Sequence, residues 1–218
     1  MSAYVISDIG SCHDGAYNRM FEAVRVAADC GVSALKFQWV SDPVEMATRR
    51  GRALQDDYAE VYSRYLAWPA DWHRALASAC QKRGIGYMCT TYLPQDVAVV
   101  APFVERFKVA SFESADLVFL AAHAGYDKPV LVSTGMLESQ AFRMLWDRFE
   151  RPWVYAEADG EALSAALVKL KIRWLHCVSA YPAPSEALNL AVVRDTTRRH
   201  DESHERVYTG FSDHSAPA

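Results

Sequence analysis

Two lysines of this chain lie inside apolar runs that are short enough to be buried strands. Lys36 lies in the run Ala34–Phe37, and Lys108 lies in the run Phe107–Ala110. A buried lysine is rarely tolerated without an anionic partner, because its ammonium group loses its hydration. Two such lysines, together with hydroxyl side chains at other strand ends, indicate a site for a phosphate or a carboxylate.

Other polar side chains stand where the apolar runs end. They are Asp8, His13, Gln38, Thr90, Ser111, Ser133, Thr134, His176, Ser179, Tyr181, Ser212, Asp213 and His214. In a parallel barrel, ligands bind at the carboxyl ends of the strands, where loops vary and helix N-termini point their dipoles. Taken singly, Ser133 and Ser212 are better explained as helix N-caps, and His176 as a hydrogen-bonded core histidine.

The elements that must position these residues alternate between β-rich and helical runs, which is typical of repeated βα units. The predicted strands are Tyr4–Ser7, Ser33–Phe37, Gly86–Cys89, Phe107–Ala110, Val130–Val132, Arg173–Cys177 and Val207–Phe211. The predicted helices are Tyr17–Cys30, Ala70–Lys82, Asp96–Phe103, Leu117–Ala124, Ala141–Phe149, Glu161–Lys169 and Ser185–Arg199, with a polar loop over Ser41–Asp57. A closed barrel of this type needs eight strands. We therefore expect one α/β domain over residues 1–218, a TIM (β/α)8-type barrel truncated after its seventh strand.

Composition narrows the class of protein. The net charge of −4 argues against nucleic acid or an anionic membrane as the main partner. No apolar run approaches the roughly 20 residues needed to span a bilayer, and we see no signal peptide. The five cysteines include no C-x-x-C pair, which favours a reducing compartment, and we predict a cytoplasmic protein.

Six motifs follow one another at the strand ends. They are Asp8-Ile9-Gly10-x-x-His13-x-Gly15, Lys36-Phe37-Gln38, Phe107-Lys108-Val109-Ala110-Ser111, the segment 128–136 (Lys-Pro-Val-Leu-Val-Ser-Thr-Gly-Met), the segment 175–182 (Leu-His-Cys-Val-Ser-Ala-Tyr-Pro) and Gly210-Phe211-Ser212-Asp213-His214-Ser215. In this order and over nearly the whole chain they resemble the N-acetylneuraminate (sialic acid) synthase family, which includes legionaminic and pseudaminic acid synthases. The resemblance covers the catalytic barrel, without the family's eighth strand and its antifreeze-like domain.

The resemblance implies a transferase that condenses phosphoenolpyruvate with an N-acetylated amino sugar similar to N-acetylmannosamine. The products would be a nine-carbon sialic-type acid and phosphate, and the cofactor a divalent metal, Mn²⁺ or Mg²⁺. By motif, Asp8 and Lys108 would be catalytic and His214 a metal ligand. Substrate binding would fall to Lys36, Gln38, Thr90, Ser111, Ser133, Ser179, Tyr181 and Ser212.

The chain departs from the family pattern at several of these positions. Asp8 stands where the family has glutamate, so its carboxylate is one methylene shorter. A misplacement of that order costs about 10²-fold in rate. Cys12 and Ser179 replace asparagine, while Cys89 and Thr91 replace serine and proline. The phosphate cradle is therefore expected to differ from that of the family.

Two other functions stay open. One is another metal-dependent barrel lyase or aldolase, since a lysine at a strand end is compatible with a Schiff base. The other is a non-catalytic remnant or split subunit that binds an anionic ligand. A seven-stranded barrel leaves unpaired strand edges, so we expect a homo-oligomer or completion by another chain.

Overall fold

The computed structural model describes residues 3–51, 58–137, 147, 149, 161–194 and 210–215. The chain divides into two compact units, Met1–Phe107 and Lys108–Ala218. The assignment of one domain to residues 1–218 stays a prediction. Among the described residues, no helix is long and apolar enough to cross a membrane.

The first unit contains three parallel strands in the order β1-β2-β3. They are β1 (Ile6–Asp8), β2 (Ala34–Gln38) and β3 (Gly86–Thr90). Asp8 lies opposite Lys36 in the pairing of β1 with β2, and Gln38 lies opposite Thr90 in that of β2 with β3. The last residues of all three strands therefore meet at one edge of the sheet, as predicted for carboxyl ends of parallel strands.

Five helices follow or separate these strands. They are α1 (Tyr17–Asp29), α2 (Pro43–Arg49), α3 (Tyr58–Tyr65), α4 (Trp72–Lys82) and α5 (Pro94–Val100). The prediction of a loop over Ser41–Asp57 is wrong for Pro43–Arg49, which form α2. Residues 52–57 of that predicted loop lie outside the described residues. Asp42 caps α2, because its carboxylate accepts hydrogen bonds from the backbone N–H groups of Val44 and Glu45.

An aromatic cluster fixes the end of β2. The indole of Trp39 donates to the Trp68 carbonyl at 2.8 Å, and the indole of Trp68 donates to the Gln38 carbonyl at 3.0 Å. Both tryptophans are buried, as are Tyr87 and His73 against which the cluster packs. These reciprocal bonds hold the backbone from which the Gln38 side chain projects.

Strand β4 (Phe107–Val109) lies at the boundary between the units, and the second unit contains three further parallel strands. These are β5 (Pro129–Ser133), β6 (Lys171–Cys177) and β7 (Gly210–Ser212), with helices α6 (Leu117–Ala121) and α7 (Glu161–Leu167) and short 3₁₀ helices at Ser111–Glu113, Ala124–Tyr126 and Ser185–Ala187. Ser133 lies opposite Leu175, and Cys177 lies opposite Ser212. Most of the predicted helix Ala141–Phe149, and residues 195–199 of the predicted helix Ser185–Arg199, lie outside the described residues.

Candidate active site

Four of the predicted residues lie together at the strand ends of the first unit: Asp8, Lys36, Gln38 and Thr90. We call them the Lys36 cluster. The Lys36 ammonium lies 2.7 Å from Asp8 Oδ2 and donates to Thr90 Oγ1 at 3.3 Å. Lys36 is buried while Asp8 is exposed. The predicted anionic partner of a buried lysine is therefore present, and within the chain it is Asp8.

Two further bonds orient the Asp8 carboxylate. Its Oδ1 accepts from the Gly10 backbone N–H at 3.1 Å, and its Oδ2 accepts from Gln38 Nε2 at 3.3 Å. Gly10 has a φ of +53°, a conformation that glycine adopts at little cost. The carboxylate is thus held in place although it faces solvent.

Two buried ionisable side chains lie beside the Lys36 cluster: Cys89, which the sequence indicated as a departure from the family pattern, and Asp96, which it did not indicate as a site residue. Burial raises the pKa of the Cys89 thiol, which therefore stays protonated and donates weakly to the Thr90 carbonyl. Burial also raises the pKa of Asp96, whose Oδ2 accepts from the Ser41 backbone N–H at 3.1 Å. Asp96 thereby anchors the segment that leaves β2.

In the second unit, Lys108, Ser111 and Ser133 stand in or just after strands, and all three are buried. The Lys108 ammonium donates to Ser133 Oγ at 2.9 Å and to the Val109 carbonyl at 2.8 Å. Ser111 Oγ lies 3.4 Å from the thiol of Cys177. We call Lys108, Ser111 and Ser133, with Cys177 and Ser179, the Lys108 cluster.

Gly135 makes room for this cluster. A Cβ atom at Gly135 would lie 2.5 Å from Ser179 Oγ, 2.7 Å from Cys177 Sγ and 3.0 Å from the Cys177 carbonyl oxygen. Only a residue without a side chain permits that approach. The residue that follows β5 by two positions therefore packs directly against Cys177, at the end of β6, and against Ser179. Ser179 Oγ lies 3.9 Å from Cys177 Sγ.

The remaining predicted residues of the second unit include His214, Tyr181, Ser212 and His176. His214 Nδ1 lies 2.9 Å from the Val178 carbonyl, which can only accept, so Nδ1 carries the proton. Its Nε2 lies 3.4 Å from the Tyr181 hydroxyl, and the two rings are 4.3 Å apart. Ser212 ends β7 and is half-buried. His176 Nε2 donates to the Leu188 carbonyl at 2.8 Å, so His176 is hydrogen-bonded as predicted, but it is half-buried and not a core residue.

A model of the NeuB family matches residues 23–218. The chain belongs to the NeuB family. It is 27% identical to the spore coat polysaccharide biosynthesis protein SpsE of Bacillus subtilis over 97% of this chain and 53% of the relative. It is 28% identical to the N,N'-diacetyllegionaminic acid synthase of Legionella pneumophila over 99% of this chain and 58% of the relative. The chain thus spans about half the length of the curated relatives it matches.

A solved NeuB-type structure supports the fold. The N-acetylneuraminic acid synthetase of Leptospira borgpetersenii, solved in complex with citrate, matches 99% of this chain and 66% of its own, with a TM-score of 0.78 and 21% identity. The prediction of an α/β fold of the TIM (β/α)8 type is confirmed, with seven strands among the described residues. The predicted membership of the acid synthase family is confirmed as well.

The family resemblance predicts a divalent metal, and His214 Nε2 is the nitrogen atom of the described residues assigned to it. Because Nδ1 donates to the Val178 carbonyl, Nε2 is the nitrogen of His214 that would face a metal, which is the usual arrangement of a metal-bound histidine. Within the described residues, however, no group of three or more His, Cys, Asp or Glu side chains could hold a metal ion. These residues alone do not fit a complete metal centre, and the Mn²⁺ or Mg²⁺ site stays a prediction.

Proposed function

We propose that this chain takes part in a phosphoenolpyruvate-dependent synthesis of a nine-carbon sialic-type acid. Phosphoenolpyruvate would condense with an N-acetylated amino sugar similar to N-acetylmannosamine, and phosphate would be released. The observation that carries this proposal is a buried lysine bonded to a hydroxyl side chain in each unit: Lys36 with Thr90, and Lys108 with Ser133. Family membership supplies the reaction type, and the two lysine clusters supply side chains suited to its anionic substrate.

The proposed condensation needs ammonium and hydroxyl groups, and the two lysine clusters contain both. Carbon 3 of phosphoenolpyruvate bonds to the sugar aldehyde carbon, whose oxygen takes up a proton. Water then adds at carbon 2, and inorganic phosphate leaves from that carbon to give a keto group. Ammonium and hydroxyl groups stabilise the phosphate and carboxylate charges throughout, because they are oriented before the substrate binds. Lys108, with two oxygen contacts below 3 Å, is held for this task.

The remaining roles follow the resemblance. We assign phosphoenolpyruvate binding to Lys36, Thr90, Lys108, Ser111, Ser133, Ser179 and Ser212, and contact with the sugar to Gln38 and Tyr181. Asp8 would take a proton from the attacking water, a role that its exposed and anchored carboxylate supports. A divalent cation, Mn²⁺ or Mg²⁺, is part of the proposal through the family, and His214 is the residue assigned to it.

Two further parts of the proposal concern the setting. The five cysteines are free thiols, which supports a cytoplasmic location. Assembly with a second copy or with another chain is also part of the proposal.

Phosphate release from phosphoenolpyruvate, with N-acetylmannosamine and Mn²⁺, tests the function. The perturbation is Lys108→Met, which keeps the apolar stem and removes the ammonium. Lys171→Met is the matched control, because Lys171 is an exposed lysine of the same unit, paired with Asp127. We expect release that requires the sugar, a loss of about 10²-fold or more in Lys108→Met, and no change in the control.

Binding is measured separately, since turnover needs more than an anion site. Phosphoenolpyruvate should raise the melting temperature of the wild type and of Lys171→Met but not of Lys108→Met. Binding without turnover would favour the non-catalytic alternative. The proposal is wrong if phosphoenolpyruvate neither stabilises the chain nor loses phosphate in its presence.

A further inference from the structure

Tyr92 contacts the Lys36 cluster, although it belongs to none of the motifs selected from the sequence. It is buried, and its hydroxyl lies 2.9 Å from Gln38 Oε1. On the other side of the same amide, Gln38 Nε2 lies 3.3 Å from Asp8 Oδ2. The Gln38 amide is therefore held at both ends, by a phenol and by a carboxylate.

The chemistry of the partners decides which way this amide points. The Asp8 carboxylate is paired with the Lys36 ammonium at 2.7 Å and acts as an acceptor. If the amide were rotated by half a turn, its oxygen would face that carboxylate with no hydrogen between them. The NH₂ group must then face Asp8 and the oxygen must face Tyr92, which makes the phenol the donor.

Tyr92 is itself held by a cation. The Arg50 guanidinium lies 5.1 Å from the centre of the Tyr92 ring and 5.7 Å from that of Tyr62. Arg50 Nη1 also donates to the Tyr62 hydroxyl at 3.2 Å. A cation over an aromatic face attracts it, so Arg50 holds the Tyr92 ring through its face and leaves the hydroxyl to Gln38.

This arrangement leaves one group of the amide for a ligand. Gln38 Nε2 has two N–H bonds, one directed to Asp8, and in the described part of the chain no residue accepts the other. We infer that Tyr92 is a positioning residue, which fixes the Gln38 amide so that this second N–H donates to an oxygen atom of the acceptor sugar. The inference rests on the proposed function, in which Gln38 contacts the sugar.

Tyr92→Phe tests the inference, because it removes the hydroxyl and keeps the ring under Arg50. Loss of one neutral hydrogen bond corresponds to roughly three- to tenfold in an equilibrium constant. We expect the KM for the sugar to rise by that factor, while the KM for phosphoenolpyruvate stays unchanged. Tyr62→Phe is the matched control, since it removes a hydroxyl that contacts the same Arg50. It should change neither constant.

A double substitution asks whether Tyr92 acts through Gln38. If it does, Tyr92→Phe should have no further effect on the sugar KM once Gln38→Ala is present. Full additivity of the two substitutions would overturn the inference. So would equal effects on both substrates, or an effect of Tyr62→Phe as large as that of Tyr92→Phe.

A measurement without turnover separates this inference from the proposed function. The Gln38 side-chain NH₂ resonances of the ligand-free chain, assigned by their loss in Gln38→Ala, should shift or broaden in Tyr92→Phe. They should stay in place in Tyr62→Phe. If phosphoenolpyruvate neither stabilises the wild type nor loses phosphate, but the Gln38 resonances respond in this way, the proposed function is refuted and the orientation of Gln38 by Tyr92 is retained. If the Gln38 NH₂ resonances have the same shifts and line widths in Tyr92→Phe as in the wild type, the positioning role of Tyr92 is refuted.

Discussion

Gly135→Ala isolates the close approach that builds the Lys108 cluster. The φ of Gly135 lies outside the left-handed region, so alanine introduces no backbone strain there and acts only through its methyl group. That methyl group would meet Ser179 Oγ at 2.5 Å, Cys177 Sγ at 2.7 Å and the Cys177 carbonyl at 3.0 Å. Side chains can turn away, but the carbonyl belongs to the end of β6 and moves only with the strand.

Overpacking of this kind costs about 1–3 kcal/mol in the free energy of unfolding. For a chain of this size, that corresponds to a fall of about 2–12 °C in melting temperature. The stabilisation by phosphoenolpyruvate should also shrink, because Ser179 is displaced from the proposed phosphate site. Urea unfolding and thermal melting, each with and without phosphoenolpyruvate, measure both effects.

Gly125→Ala is the control for this experiment. Gly125 lies in the same unit, its φ is outside the left-handed region, and a Cβ there would meet nothing within 4 Å. We expect its stability to change by less than about 0.5 kcal/mol. If Gly135→Ala is as stable as Gly125→Ala and responds to phosphoenolpyruvate as the wild type does, the close approach at Gly135 is not what positions Ser179.

Two further predictions concern charge. Burial lowers the pKa of His73 and of His123 to about 4, below the 6.5 of an exposed histidine. Between pH 6.5 and pH 4 each histidine therefore binds a proton in the unfolded chain but not in the folded one, so the free energy of unfolding is highest above pH 6.5 and falls as the pH drops towards 4. At pH 5 the loss is roughly 2 kcal/mol per histidine. In His123→Leu, the fall in the free energy of unfolding between pH 7 and pH 5, measured with urea, should be smaller by that amount. An equal fall in His123→Leu and the wild type would contradict the lowered pKa of His123. Asp8→Asn removes the carboxylate beside Lys36 and should cost about 1 kcal/mol of stability, since Asp8 is exposed. It should also tighten phosphoenolpyruvate binding in calorimetry while phosphate release falls, and weaker binding would show that Asp8 does not compete with the ligand for Lys36.

The strands were predictable to within a few residues because their signal is local. Gly86–Cys89 was predicted where β3 runs over Gly86–Thr90, and a short apolar run bounded by glycine and polar residues is enough for that. Helix α2 was missed because its surroundings are polar. Asp42 followed by Pro43 was nevertheless a usable signal, since that pair is typical of a helix N-terminus.

The sequence predicted the types of residue at the candidate site, but not all of the contacts among them. A lysine within an apolar run predicts a buried cation with an anionic partner, and both lysines are buried. Lys36 pairs with the Asp8 carboxylate, whereas Lys108 donates to the Ser133 hydroxyl and the Val109 carbonyl. The roles of these residues in binding and catalysis stay predictions. Tyr92 lies outside every motif selected from the sequence, and Gly135 lies in the segment 128–136 without a role that the sequence could assign, because a buried phenol and a close backbone approach leave no pattern in one sequence.

The sequence by itself determined the order of the strands, the residues that stand at their ends, and the family to which the chain belongs. Those properties depend on apolar periodicity and short motifs, which act over a few neighbouring residues. Only the tertiary structure decided that Lys36 meets Asp8, that Lys108 meets Ser133, and that the Gln38 amide turns its NH₂ group to Asp8. These contacts join residues 25 to 30 positions apart, and the register between parallel strands selects them.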